Sequence, residues 1–114
     1  VKVDESGTFT LYGGTICGNR FPNKSGDYGA GVYVSDSTFN MYGGAIRGNA
    51  SIFGGGVATY RSTFNMYGGV ISDNMASAGG GGVVLLTKSV MNMSGNALIR
   101  ANMVPENSAT GGGL

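Results

Sequence analysis

Hydrophobic and polar side chains alternate one by one in short runs along this chain, the rhythm of extended strands rather than of helices, whose faces recur every 3.6 residues. In the stretch Phe39-Asn40-Met41-Tyr42, Phe39 and Met41 point to one side while Thr38, Asn40 and Tyr42 point to the other. Three such runs, at residues 32–34, 38–42 and 45–47, form one unit, with Ser-Asp-Ser and Gly-Gly between them. Each run is too short for a helix and right for a strand.

The unit recurs. Residues 31–49 and 56–74 align without a gap, an earlier copy runs from Val1 to Asn19, and a degenerate later copy runs from Gly82 to Asn102. The closing asparagine of each unit, at 19, 49, 74 and 102, returns after 30, 25 and 28 residues. The variation in length is expected almost wholly in segments 20–30, 50–55, 75–81 and 103–112, so that insertions fall in one loop. The whole chain, 1–114, reads as one segment of repeats spanning about 1–30, 31–55, 56–81 and 82–112, with a further unit beginning at Gly113-Leu114.

Three short strands in a repeat of about this length make one turn of a three-sided tube, so the expected fold is all-β: a right-handed parallel β-helix, or β-solenoid, of about four coils of 25–30 residues. Hairpins would also fit the punctuation, but a solenoid stacks equivalent residues directly, about 4.8 Å apart, and so explains the recurring asparagine. The expected inward columns are Val1/Val32/Val57/Val83, Phe9/Phe39/Phe64/Met91, Leu11/Met41/Met66/Met93 and Ile16/Ile46/Ile71/Ile99. Asn19, Asn49, Asn74 and Asn102 are expected to form a structural ladder, because a side-chain amide both donates and accepts. Gly-Gly at 13, 43 and 68 suits a corner with positive φ; the fourth coil has Asn96 for the second glycine and one extra residue before Ile99, predicting a looser corner there.

Composition supports an ordered turn-rich β protein. Glycine supplies 23 of 114 residues, roughly three times its usual share of about 7%, yet no Gly-X-Y period exists. With 41% hydrophobic and only 11% charged residues, the chain is unlike a disordered one. A net charge of +1 without a Lys/Arg run gives no footprint for nucleic acid, and the longest apolar stretch, residues 83–86, is too short to insert in a membrane. No signal-peptide pattern opens the chain, and its start at Val1 fits a processed or excised segment.

The motif Gly43-Gly44-Ala45-Ile46, followed by Arg47-Gly48-Asn49, is similar to the repeats of chlamydial polymorphic outer-membrane proteins and of adhesin-like surface proteins of other bacteria. Those proteins prefer Phe at the first position of the second motif, where this chain has Ile46. The resemblance spans almost the whole chain. It implies an extracellular or cell-surface location and a role in adhesion or self-association, with no autotransporter barrel or anchor among these residues.

Candidate chemistry is sparse. Histidine is absent, which removes Ser-His and Cys-His catalysis and most transition-metal sites. Asp4, Asp27, Asp36 and Asp73 fall at four different offsets, which does not fit a repeated Ca²⁺ site, so neither metal nor cofactor is expected. Glu5 and Asp36 share one offset, as a glycosidase pair might need, but the same column continues as Arg61 and approximately Lys88, a solvated charge ladder of mixed sign. The outward face of the second strand is the candidate contact surface, with columns Thr8/Thr38/Thr63, Thr10/Asn40/Asn65/Asn92 and Tyr12/Tyr42/Tyr67 that could stack on sugar rings or dock a sister molecule. Cys17, unpaired, is expected outside in column with Arg47, Ser72 and Arg100, and Asn-X-Ser sequons occur at Asn23, Asn49 and Asn92.

The function expected is that of a non-enzymatic structural and adhesive module. Its expected partners are copies of itself, through uncapped coil ends, as in an end-to-end filament, or through neighbouring coils, and glycans or a host or cell surface. The alternative is a non-catalytic part of a β-helical polysaccharide lyase or glycosidase, or a carbohydrate-binding surface.

Overall fold

The computed structural model describes residues 1–20 and 28–105. The first rung carries β1 (Lys2–Val3), β2 (Thr8–Leu11) and β3 (Thr15–Cys17), and the second carries β4 (Val32–Ser35), β5 (Thr38–Met41) and β6 (Ala45–Arg47), followed by β7 (Ala50–Phe53). The third carries β8 (Val57–Tyr60), β9 (Thr63–Met66) and β10 (Val70–Ser72), followed by β11 (Met75–Gly79), and the fourth carries β12 (Val83–Leu86), β13 (Val90–Met93) and β14 (Leu98–Arg100). Equivalent strands pair in parallel into three four-stranded sheets, β1-β4-β8-β12, β2-β5-β9-β13 and β3-β6-β10-β14. Four rungs of three strands amount to a β-solenoid of about three turns.

The register is the one the repeats demand. Phe9, Phe39, Phe64 and Met91 are successive partners, as are Leu11, Met41, Met66 and Met93, and Ile16, Ile46, Ile71 and Ile99. A one-residue slip would turn each of these columns into solvent, so burial itself enforces the register. The phenylalanines stack with centroids 5.1 and 4.7 Å apart. Val32, Phe39, Met41 and Ile46 of the second rung and Val57, Phe64, Met66 and Ile71 of the third are fully buried.

The outermost rungs depart from the expected columns. Val1 lies in line with Val32, its carbonyl accepting from the Tyr33 amide at 2.8 Å, yet it is 51% exposed, and Met93 at the other end is 49% exposed. Each has a neighbouring rung on one side only among the described residues. A further inward column was not foreseen: Val3, Val34, Thr59 and Leu85 are partners across the first sheet. Thr59 hides this column from a hydrophobicity pattern.

Two of the variable segments, 50–55 and 75–81, contain strands rather than loops alone. Ala50–Phe53 and Met75–Gly79 form a fourth, two-stranded parallel sheet, extended by bridges from Arg20 to Ala50, Tyr28 to Phe53 and Met75 to Met103. The last repeat does not place its extra length in this segment alone. One residue is taken up by a bulge between Ala76 and Gly79, one lies in the first corner between Leu86 and Val90, and one in the second corner between Met93 and Leu98.

Corner chemistry follows the same stacking. Gly44 and Gly69 have φ of +84° and +85°, and a Cβ at Gly44 would lie 2.6 Å from the Gly14 carbonyl oxygen of the rung beside it. The second corner of the fourth rung, expected to be looser, closes by its own bond from the Ala97 amide to the Ser94 carbonyl at 3.3 Å, with the positive φ at Gly95. Asn96 is absent from the left-handed positions.

Thr59 is fully buried, and its hydroxyl has no hydrogen-bond partner among the described residues. An unpaired buried hydroxyl costs about 1–3 kcal/mol. Thr59→Val, which keeps the shape and removes the oxygen, is expected to raise unfolding free energy by about 1–2 kcal/mol in urea titrations; unchanged or lowered stability would show the hydroxyl to be satisfied.

Candidate functional site

Of the recurrent polar residues, the closing asparagines are the most deeply placed. Nδ2 of Asn19 donates to Oδ1 of Asn49 at 2.9 Å, Asn49 to Asn74 at 3.0 Å and Asn74 to Asn102 at 2.9 Å. The same oxygens accept from the backbone amides of Asn19, Asn49 and Asn74, each at 3.0 Å. Nδ2 of Asn49, Asn74 and Asn102 also reaches the carbonyls of Ile16, Ile46 and Ile71 in the preceding rung. Each internal asparagine thus ties three rungs, and at 1% exposure Asn49 and Asn74 offer nothing to a ligand. The sequon asparagine at 49 is therefore closed to glycosylation, Asn92 is exposed, and Asn23 lies outside the described residues.

A second ladder lies at the first corner, where the sequence shows only punctuation between strands. The amides of Gly7, Ser37 and Ser62 donate to the hydroxyls of Ser37, Ser62 and Ser89 at 3.1, 3.0 and 3.3 Å. The signal was the serine before each second strand, at 37, 62 and 89, with Gly7 in the first rung.

The outward face of the second sheet brings the expected contact residues together. Thr8, Thr38 and Thr63 are in register, and Asn40, Asn65 and Asn92 follow Thr10. These asparagines form an outer ladder, Asn65 donating to Asn40 and Asn92 to Asn65, both at 2.9 Å. Tyr12, Tyr42 and Tyr67 stack with centroids 5.4 and 4.8 Å apart, at 77%, 50% and 40% exposure. Their ring faces are therefore turned largely on one another, so Tyr42 offers a hydroxyl and edges rather than a face for a sugar. Ser94 succeeds Tyr67 and ends the column.

The charged column is resolved too. Glu5, Asp36, Arg61 and Lys88 all occupy left-handed corner positions, with φ of 54°, 49°, 46° and 54°. Arg61 grips Asp36 with two bonds, Nε to Oδ1 at 2.7 Å and Nη2 to Oδ2 at 2.9 Å. Those hydrogen bonds hold the Asp36 carboxyl below its usual range despite some desolvation, with the charge of Arg61 and the Ser35 hydroxyl adding to the effect. Arg61 is raised in turn. A carboxylate so held is a poor proton donor, unlike the raised acid that glycoside hydrolysis uses.

Cys17 is exposed and pairs in register with Arg47, then Ser72 and Arg100. Among the described residues no group of three or more His, Cys, Asp or Glu could hold a metal ion, and no helix is long and apolar enough to cross a membrane. Asp27 lies outside the described residues. Two concave features among the described residues are a groove of about 320 Å³ at the third corner, between Arg20, Asp73 and Met103, and one of about 270 Å³ on the outer side of the first sheet.

What the fold and its ladders define is a parallel β-solenoid repeat protein. Comparison with family models, curated proteins and solved structures returned no match.

Asn74→Ala would leave the Asn49 backbone amide without its acceptor and remove the side-chain bonds to Asn49 Nδ2, the Asn102 oxygen and the Ile46 carbonyl, and a buried polar group left unpaired costs about 1–3 kcal/mol. A loss of about 3 kcal/mol or more is expected in urea, against about 1 kcal/mol for Asn19→Ala at the exposed end; equal losses would deny the ladder its structural role. Because the folded state lowers the Asp36 pKa, its contribution is present above the carboxylate range and lost as pH falls through it. The stability advantage of the native chain over Asp36→Asn is expected at neutral pH and should fade in acid, as followed by thermal melts across pH.

Proposed function

We propose that this chain is a non-enzymatic, adhesin-like module of an extracellular or cell-surface protein, working in adhesion and self-association. The observation that carries this reading is the outer face of the second sheet, where Tyr12, Tyr42 and Tyr67 stack beside the Asn40, Asn65 and Asn92 ladder. Such a face repeats one set of groups at the spacing of the rungs. A partner that itself repeats, whether a sister solenoid or a surface polymer, meets the same groups at every step.

Self-association draws support from the outer rungs. Among the described residues, Val3, Phe9, Leu11 and Ile16 of the first rung and Met91 and Ile99 of the fourth are only partly covered, whereas the same columns between them are buried. A further rung laid on these columns, from whatever chain it comes, would complete sheet hydrogen bonds and apolar columns together. The absence of charge runs leaves little repulsion to oppose that approach.

Sedimentation velocity at rising concentration is expected to show growth beyond the monomer, and electron microscopy to show end-to-end particles. Discrete monomers throughout would remove self-association from the reading. The double variant Tyr42→Ala/Tyr67→Ala is expected to lower adhesion of chain-coated beads to cells or a glycan array by about tenfold, a central-anchor loss; unchanged adhesion would clear the tyrosine face of any role.

A further inference from the structure

The second outer groove holds tyrosines that the ladders do not explain. Tyr33 stands over Ala58 and Val84 across the first sheet, and Tyr60 stands between Ser35 and Leu86. Neither has an aromatic residue as its register partner. They are instead diagonal neighbours on β4 and β8, within mutual reach of long side chains. Tyr28, from the variable segment, comes to the same place, with its ring 6.3 Å from Tyr33 and stacked on Phe53 at 5.3 Å.

Together Tyr28, Tyr33, Tyr60, Leu86 and Thr87 line a groove of about 270 Å³. Sites for drug-sized ligands run from roughly 300 to 1,000 Å³, so this one suits a single ring-sized group. Its walls join phenol rings to the phenolic and Thr87 hydroxyls, apolar faces beside donors and acceptors. The Arg61 guanidinium lies over the Tyr60 ring at 4.7 Å, and two bonds to Asp36 fix that guanidinium. Tyr60 is thereby restrained before any ligand arrives, which lowers the entropy lost on binding.

We infer that this groove is a subsite for one ring of a neutral saccharide. A pyranose carries apolar C–H faces and equatorial hydroxyls, the complement of phenol walls with a hydroxyl rim. The adjacent cation, Arg61, already shares its charge with Asp36, so the site is not arranged for an acidic sugar. This subsite lies on the first sheet, away from the tyrosine column of the second. Failure of either surface leaves the other untouched, and the inference names a ligand class for the adhesive reading without depending on the tyrosine column.

The test is amide-resolved NMR titration of the full chain with cellohexaose and chitohexaose, and with tetragalacturonate as the acidic comparison. Saturable shifts are expected at Tyr33, Tyr60, Leu86 and Thr87 with at least one neutral oligosaccharide, with weaker effects from the uronate. Tyr60→Ala is expected to weaken binding by about tenfold or more, Tyr60→Phe to stay within about threefold, and Arg47→Ala, exposed on the third sheet and part of neither surface, to change nothing. If Tyr60→Ala loses the dispersed spectrum, Leu86→Trp, which fills the groove from its rim, serves in its place with the same expected loss. No saturable shift in the millimolar range, shifts centred on Tyr12, Tyr42 and Tyr67, tighter binding of the uronate, or full affinity in folded Tyr60→Ala or Leu86→Trp would each overturn the inference.

Discussion

The closing asparagine is the interaction on which the tube depends. A solenoid corner must reverse the chain while leaving its backbone groups without strand partners, and buried groups of that kind are costly. One carboxamide meets both demands, accepting from its predecessor's amide groups and donating to the rung on either side. Once these corners coincide, the three strands of each rung have no freedom of register, and the Phe, Met and Ile columns must superimpose. The serine ladder does the same, with fewer bonds, at the first corner.

Much of this was legible in the sequence, because a ladder writes itself as repetition. The Phe39/Phe64, Met41/Met66 and Ile46/Ile71 columns and the asparagines needed only an alignment of the chain with itself. Features that break the repetition were not legible. Thr59 interrupts the Val34 column, so its burial follows from position and not from residue type. The pairing of Ala50–Phe53 with Met75–Gly79 joins segments of unequal length and dissimilar residues, reconciled by a bulge that no local pattern announces. Once the rungs bring those segments alongside one another, backbone pairing requires little of their side chains.

The candidate surfaces divide along the same line. The tyrosine and asparagine columns of the second sheet were visible as repeats, although their stacking turns the ring faces inward on one another. The Tyr28, Tyr33 and Tyr60 cluster was invisible, since its members come from three different offsets and meet only through the packing of the variable segment. In a protein built from stacked copies, the residues that repeat serve the stack, and individuality enters where repetition lapses.

The asparagine ladder also has a direction. Every link from Asn19 through Asn102 runs the same way, amide nitrogen to the oxygen of the following rung. The row is therefore a vector with an acceptor end and a donor end, and the parallel sheets around it share that polarity. Two identical ends brought face to face would set acceptor against acceptor and strand against oppositely running strand. Only translation along the axis, tail of one to head of the next, continues the row. A heterologous contact of that kind would not close on itself as a twofold dimer does, so any stacking along this axis would be polar and open-ended.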